Sequence, residues 1–302
     1  MIAFVTAVDA NGFSAAARRL GRSPASITRA VAFLEKRTGS ELLRRTTRAL
    51  KLTESGARYL GACRRILGEL EEAEQIAASE RTAPRGTLAV TAPLGFGRLH
   101  VRPLVDAFVA AHADVQVRLL LLDRLVNLVD EGLDLAVRIA HLPDSSLVAV
   151  RVGEVRRVLC ASPRYLAKRG KPRAPADLAE HDCISLSQAA PSDVWSFAAG
   201  TAGRPRQVKI RPRITVNSAD TAIASVLDGG GVTHVLSYQI AAAVREGQLV
   251  ELLTSFEPAP LPVHLVYPAA SGTSAKVRAF VDLAVPRLKA ALAGDRARRR
   301  VP

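Results

Sequence analysis

The stretch from Ser14 to Gly39 constrains this chain more than any other part, because its helix-starting and helix-stopping residues leave room only for two short helices and a tight turn. Ahead of it, Phe4, Val5 and Val8 recur at helical spacing until Asn11-Gly12 supplies a turn signal. Ser14 is placed to cap a second helix, whose body Ala15-Ala16-Ala17-Arg18-Arg19-Leu20 is rich in strong helix formers. Gly21 can take the left-handed conformation that closes it. Ser23 suits the N-cap of a third helix and Pro24 its first position, where a missing N–H costs nothing. Ile27, Ala30, Val31 and Leu34 give that helix the i, i+3, i+4, i+7 stripe of a packed face, and Gly39 stops it. The spacing predicts a helix-turn-helix whose second helix can enter a DNA major groove.

With that stripe buried, Ala25, Ser26, Thr28, Arg29 and Ala32 face outward from the helix that Ser23 and Pro24 open. Small side chains let the helix approach base edges, and Arg29 can reach guanine or phosphate. A plain helical hairpin with a solvated face is the alternative, and the next segment weighs against it. Leu42-Leu43-Arg44-Arg45-Thr46-Thr47-Arg48-Ala49-Leu50-Lys51-Leu52-Thr53 runs from an apolar anchor through a basic, Thr-rich turn into alternating leucines. This reads as a wing, with Arg45, Thr47 and Arg48 at its tip for phosphate or minor-groove contacts.

Charge agrees with that placement. The 302 residues, enough for about two domains, carry a formal charge of +14. Residues 1–65 hold 13 Lys/Arg against four Asp/Glu, and the tail 295–300 holds four Arg against one Asp, so the long middle keeps only +2. A basic module on a near-neutral body fits one polyanion-binding domain beside a sensing or catalytic one. The longest apolar run, Leu119–Leu122, is far short of a membrane span, and no basic, apolar leader opens the chain. Three scattered cysteines, Cys63, Cys160 and Cys183, make no disulfide framework or metal pair and point to the cytoplasm. Six scattered histidines have no metal-binding spacing, and Ser185 and Ser187 beside Cys183 have no partnered base, so no metal, cofactor or catalytic residue is expected. The competing class is a small-molecule-binding protein or enzyme that merely carries a basic N-terminus.

From Glu54 to about Glu80 there is no proline, and Tyr59, Ile66 and Ala73 repeat every seven residues beside a Leu60, Cys63, Leu67, Leu70 stripe. So long a helix with a wide apolar face predicts a partner helix, unless it packs on its own domain. After the linker Thr82–Gly86, strands are expected at 88–91, 115–122 and 133–139, with helices at 99–111 and 124–131. A second unit is read from Ser162-Pro163, with a short helix at 175–181, strands near Ile184, at 208–216 and at 232–236, and helices at 218–228 and 238–245. A strand at 262–267 and a closing helix at 274–292 then return to the first unit. Two crossings imply two α/β lobes with a cleft between them.

Ser14–Leu20, Ser23-Pro24 to Leu34-Glu35, Gly39, Leu42–Thr46 and Leu52-Thr53-Glu54-Ser55-Gly56 together resemble the LysR-type transcriptional regulators, and the resemblance runs through essentially the whole chain. It implies a winged helix-turn-helix at 1–53 and a dimerisation linker helix at 54–81. A two-lobed effector domain similar to type 2 periplasmic binding proteins would follow at 87–302, with lobe I at 87–161 and 267–292 and lobe II at 162–266. It further implies promoter DNA, a small-molecule effector and RNA polymerase as partners, a homodimer or homotetramer, and a family start several residues ahead of Met1.

Open α/β sheets bind ligands beyond the carboxyl ends of their strands. Thr91-Ala92-Pro93 and Asn217-Ser218 are polar strand ends leading into helices whose positive ends favour an anion, such as a carboxylate-bearing effector. Gly229-Gly230-Gly231 stands beside Thr233, and Arg138 and His141 follow the third strand as charge partners. The family resemblance favours Thr91, Asn217, Ser218 and Thr233, with a plain N-cap as the alternative role for Asn217-Ser218.

Overall fold

The computed structural model describes residues 1–45, 50–77, 83–186, 193–198 and 206–297. Its N-terminal module packs α1 (Ile2–Asp9), α2 (Phe13–Arg19) and α3 (Pro24–Thr38) around Phe4, Ala16, Ile27 and Val31. Ser14 does not cap α2. Gly12 is the N-cap, because Asn11 turns at φ +48 and the Gly12 carbonyl already accepts the Ala16 N–H. Gly21 takes φ +61 in the turn between α2 and α3. The Ser23 hydroxyl accepts the Ser26 N–H, Pro24 is the first helical residue, and Gly39 closes α3 in the left-handed region.

β1 (Leu43–Arg45) and β2 (Leu50–Leu52) form the antiparallel wing, pairing Leu43 with Leu52 and Arg45 with Leu50. The Glu35 carboxylate fixes its root by accepting the N–H groups of Leu42 and Leu43 at 2.9 and 3.1 Å. α4 (Glu54–Ala77) leaves the wing through Thr53, whose hydroxyl accepts the Gly56 N–H and donates to the Glu41 carbonyl. Gly56 is required there by proximity: a Cβ at that position would lie 2.0 Å from the Leu42 carbonyl oxygen. Gly56→Ala should therefore cost about 1–3 kcal/mol, read as a lower thermal midpoint of the N-terminal module.

β3 (Gly86–Ala92) opens the first lobe. A short α5 (Leu94–Phe96) runs through a π-turn at Gly97–Val101 into α6 (Arg102–Ala111), so this helix begins five residues before the expected Leu99. Its start is set by a residue distant in sequence, Asp123, whose carboxylate accepts the Leu94 N–H at 2.8 Å. Gly97 lies inside the helix because a Cβ would meet Leu121 at 2.1 Å. β4 (Val115–Leu121) and β5 (Leu135–Ile139) follow. The helix expected at 124–131 is instead a series of turns, held by the Asn127 side chain accepting the Val129 N–H and by an Arg124–Glu131 ion pair.

β6 (Leu147–Val155) and β7 (Arg157–Ala161) are one run broken only at Arg156, yet they belong to different sheets. The second lobe adds α7 (Pro163–Arg169), β8 (Cys183–Leu186), β9 (Val194–Phe197), β10 (Arg206–Lys209), β11 (Pro212–Val216), α8 (Ala219–Leu227), β12 (Val232–Leu236), α9 (Ser237–Arg245) and β13 (Val250–Leu252). β14 (Leu261–Pro268) and α10 (Ala275–Ala297) return to the first. The strand expected over 208–216 is thus two, β10 and β11, which pair with different partners.

The two five-stranded sheets, β4-β3-β5-β14-β6 and β11-β8-β12-β7-β13, share one design. In each, three parallel strands are followed by an antiparallel strand contributed by a crossing segment. Sheet membership puts the first crossing at Arg156 and the second between β13 and β14, rather than after 161 and 266. The α10 residues Val277, Phe280, Ala284 and Leu288 join Leu88, Val90, Phe108 and Leu265 in the first lobe's core.

Candidate DNA interface and effector cleft

α3 presents two faces. Ile27, Val31 and Leu34 are buried, while Ala25, Arg29 and Ala32 are exposed and Ser26 and Thr28 are half-buried. Ser23 and Pro24 are exposed at its start. The expected groove-facing set thus shares one surface, although Ser26 and Thr28 lie at its margins. Arg22, Lys36 and Arg37 are exposed as well and extend the cationic surface at both ends of the helix. These three were legible as basic residues at seven- and eight-residue offsets from Arg29. Arg45 ends β1 opposite Leu50, whereas Thr47 and Arg48 lie outside the described residues.

α4 spends the first part of its apolar stripe on its own module. Leu60 and Cys63 are buried among Phe4, Leu42 and Leu43, and the Tyr59 ring lies 5.8 Å from that of Phe4. Burial pushes the Cys63 thiol pKa up, as suits a packed apolar residue. Ile66 and Leu70, one and two turns further on, are 41% and 52% exposed.

In the first lobe, Thr91, Ala92, Pro93, Arg124, Arg138 and Ala140 line a cavity of about 160 Å³ at the carboxyl ends of β3 and β5. Four of the seven expected effector residues converge there. Arg138 is already engaged, donating to the Val126 carbonyl at 2.9 Å. Asn217, Ser218 and Thr233 belong to the second lobe and do not line this cavity. The Ser218 hydroxyl accepts the Thr221 N–H as an N-cap, and Thr233 is fully buried, donating to the Ile184 carbonyl at 2.9 Å. Asn217 and His141 are exposed.

The two helix starts expected to attract an anion both carry a carboxylate of their own. Asp123 takes the first N–H of α5, and Asp220 sits in the first turn of α8. Asp220 also bridges the lobes, accepting two 3.1 Å bonds from Arg98. Beside this bridge Tyr238 of α9 is buried against the first lobe, edge-on to Phe96 at 5.3 Å. Burial, with the nearby charges of Asp123 and Asp220, raises its phenol pKa, so it remains protonated.

At the crossings, Arg156 ties both segments together. Its guanidinium donates to Glu251 at the end of the second lobe and to Glu257 on the return path, at 3.0 and 2.8 Å. Its backbone N–H donates to the Ser237 hydroxyl and its carbonyl accepts the Ser237 N–H. Burial alone would lower the guanidinium pKa, but the two carboxylates hold it above its ordinary value.

A winged helix-turn-helix joined by a long helix to a two-lobed α/β sensor is the architecture of a ligand-responsive DNA-binding regulator. Residues 1–57 match the bacterial regulatory helix-turn-helix model of the lysR family, and residues 81–289 match the LysR substrate binding domain. The chain belongs to the LysR family of transcriptional regulators and is not an enzyme. It is 34% identical over 285 residues to the regulator PtxR of Pseudomonas aeruginosa, covering 93% of this chain and 90% of that protein. It is 32% identical over 282 residues to a transcriptional repressor of the same species, covering 93% and 89%. The solved structure of CrgA, a LysR-type regulator from Neisseria meningitidis, is 31% identical with a TM-score of 0.62, covering 95% of this chain and 97% of that one. Full-length AphB of Vibrio cholerae, 24% identical with a TM-score of 0.63 over 94% and 97%, shares the fold.

Proposed function

We propose that the protein binds operator DNA through α3 and the wing and changes its hold on that DNA when a small molecule occupies the cleft. The observation that carries this reading is the outer face of α3, where exposed Arg29 stands between the small residues Ala25 and Ala32 on a helix fixed by its Ser23 cap. Such a helix can approach base edges closely enough for a bidentate Arg–guanine contact. Arg45, Thr47 and Arg48 of the wing hold the backbone. The three segments at 1–53, 54–81 and 87–302 divide the work into reading, pairing and sensing, with Ile66 and Leu70 of α4 as the seam of a homodimer or of a tetramer built from dimers. The regulator acts in the cytoplasm at promoters, in contact with RNA polymerase.

The effector seat is the cavity beside Thr91-Ala92-Pro93 and Arg138. Because Asp123 and Asp220 already answer the helix ends, an acidic effector would be held by Arg124 and Arg138 instead, drawing them from Glu131 and the Val126 carbonyl. Occupation of the cavity shifts the Arg98–Asp220 bridge and with it the angle between lobes.

Fluorescence anisotropy on a site selected from random DNA tests the DNA assignment. Arg29→Ala should lower affinity for the selected site by at least about tenfold while leaving random DNA nearly unchanged. Arg48→Ala should weaken both equally and flatten the salt dependence by about one unit of slope. Equal losses on both DNAs for Arg29→Ala would remove its reading role.

A further inference from the structure

Phe33 is 63% exposed, although it lies in the middle of a helix that buries every other large apolar side chain it carries. It belongs to neither apolar cluster of the N-terminal module. At 100° per residue it stands about 40° around the helix from Arg29, well away from the buried Ile27, Val31 and Leu34. Its neighbours on that surface are Arg29, Lys36 and Arg37, all exposed. An isolated aromatic ring among cations on this face is surrounded by charge that suits a polyanion, so its apolar surface is best accounted for by something apolar displayed within one.

We propose that Phe33 is a sequence-reading residue that packs on the C5-methyl group of a thymine in the major groove, next to the base contacted by Arg29. This rests on the assignment of α3 as the reading helix. The thymine methyl is the one apolar group that a base pair displays on its major-groove edge, and phenylalanine is among the side chains that contact it. The spacing agrees: four residues of helix advance about 6 Å, close to two base-pair steps of about 3.4 Å each. Ala25 and Ala32 on the opposite side of Arg29 leave room for the helix to tilt toward the Phe33 side. The consequence is a preference for thymine one or two positions from the guanine that Arg29 reads, with Phe33 supplying discrimination that no hydrogen bond supplies.

The full-length protein is first used to select its site from a random DNA pool, and binding is then measured by anisotropy. Phe33→Ala should weaken the selected site about tenfold and random DNA by less than about twofold, with an unchanged salt slope. Phe33→Leu, which keeps an apolar contact, should lose less. Replacing the neighbouring thymine with deoxyuridine removes only the methyl group; it should weaken the wild type severalfold and Phe33→Ala no further. An exposed side chain contributes little to folding, and unchanged thermal midpoints for both variants would establish that the effect belongs to binding. Equal loss on selected and random DNA, or indifference of the wild type to deoxyuridine, overturns the assignment, as does a Phe33→Ala defect confined to self-association. If Arg29→Ala loses site preference while Phe33→Ala keeps it, only this inference falls. If the wild type prefers no site over random DNA, the parent reading of α3 falls with it.

Discussion

Arg156→Ala is expected to lower the unfolding free energy by about 3–5 kcal/mol, because it removes a buried guanidinium that bridges Glu251 and the buried Glu257. Arg156 is 8% exposed and the Glu257 side chain 5%, so neither partner is a surface ion whose pairing would be worth little. Without the guanidinium that bridges them, the Glu257 and Glu251 carboxylates would be left close together as like charges, which disfavours the doubly ionised pair. Arg156→Ala should therefore lose most stability near neutral pH and recover part of it in mild acid, where a proton can be shared between the two acids. A triple variant, Arg156→Met with Glu251→Gln and Glu257→Gln, should regain much of the loss, since it removes the charges as a set. Urea unfolding at pH 5 and pH 7 measures this; equal losses at the two pH values would show that packing, and not the charge pair, is what Arg156 supplies. The same side chain sits where the chain leaves the first lobe and binds Glu257 where it returns, so its loss should also loosen the angle between lobes on which the proposed response depends.

What the sequence could and could not disclose divides along the range of the interactions involved. The N-terminal module is written in local signals: Ser23, Pro24, Gly21 and Gly39 act within one turn of their own positions, and α3 takes the predicted shape. Even there, Ser14 missed its capping role because Gly12, two residues earlier, meets the same need. The lobes resist this treatment. Residues 147–161 look like one extended run, and only distant partners divide it: β14 claims β6 from more than a hundred residues later, and β12 claims β7 from more than seventy. The start of α5 depends on Asp123, 29 residues after Leu94 and invisible to any local rule. The glycine run illustrates the same limit: Gly231 is needed because a Cβ would meet the Asp182 carbonyl at 2.1 Å, which is packing and not ligand approach. Thr233 beside it is a buried hydroxyl satisfied by a backbone carbonyl, so the chemistry that suggested a ligand contact serves the sheet instead.

Acid should destabilise this protein through His234. The ring is 6% exposed on β12, stacked on Phe197 with 5.3 Å between centroids and close to Trp195. Burial, reinforced by the nearby Arg157 charge, pushes its pKa down to about 3, against a hydrogen bond to the Arg157 backbone that acts the other way. The folded protein thus keeps His234 neutral through the range in which the unfolded chain takes up a proton, at an ordinary value near 6.5. Above that value neither state binds the proton and stability does not depend on this group. As pH falls from about 6.5 toward 3 the unfolded state gains the proton alone, and folding free energy drops by about 1.4 kcal/mol per pH unit. Over the whole window the loss approaches about 4–5 kcal/mol from this ring. His234→Gln, which cannot take up a proton, should be less stable than the wild type at pH 8 because it loses the aromatic stack, yet its stability should fall less steeply on acidification, by about one proton's worth of slope. Denaturant midpoints for the two proteins between pH 8 and pH 4 distinguish the cases. Parallel curves would mean that His234 titrates in the folded state like an exposed imidazole, and that the aromatic stack does not shield it from water.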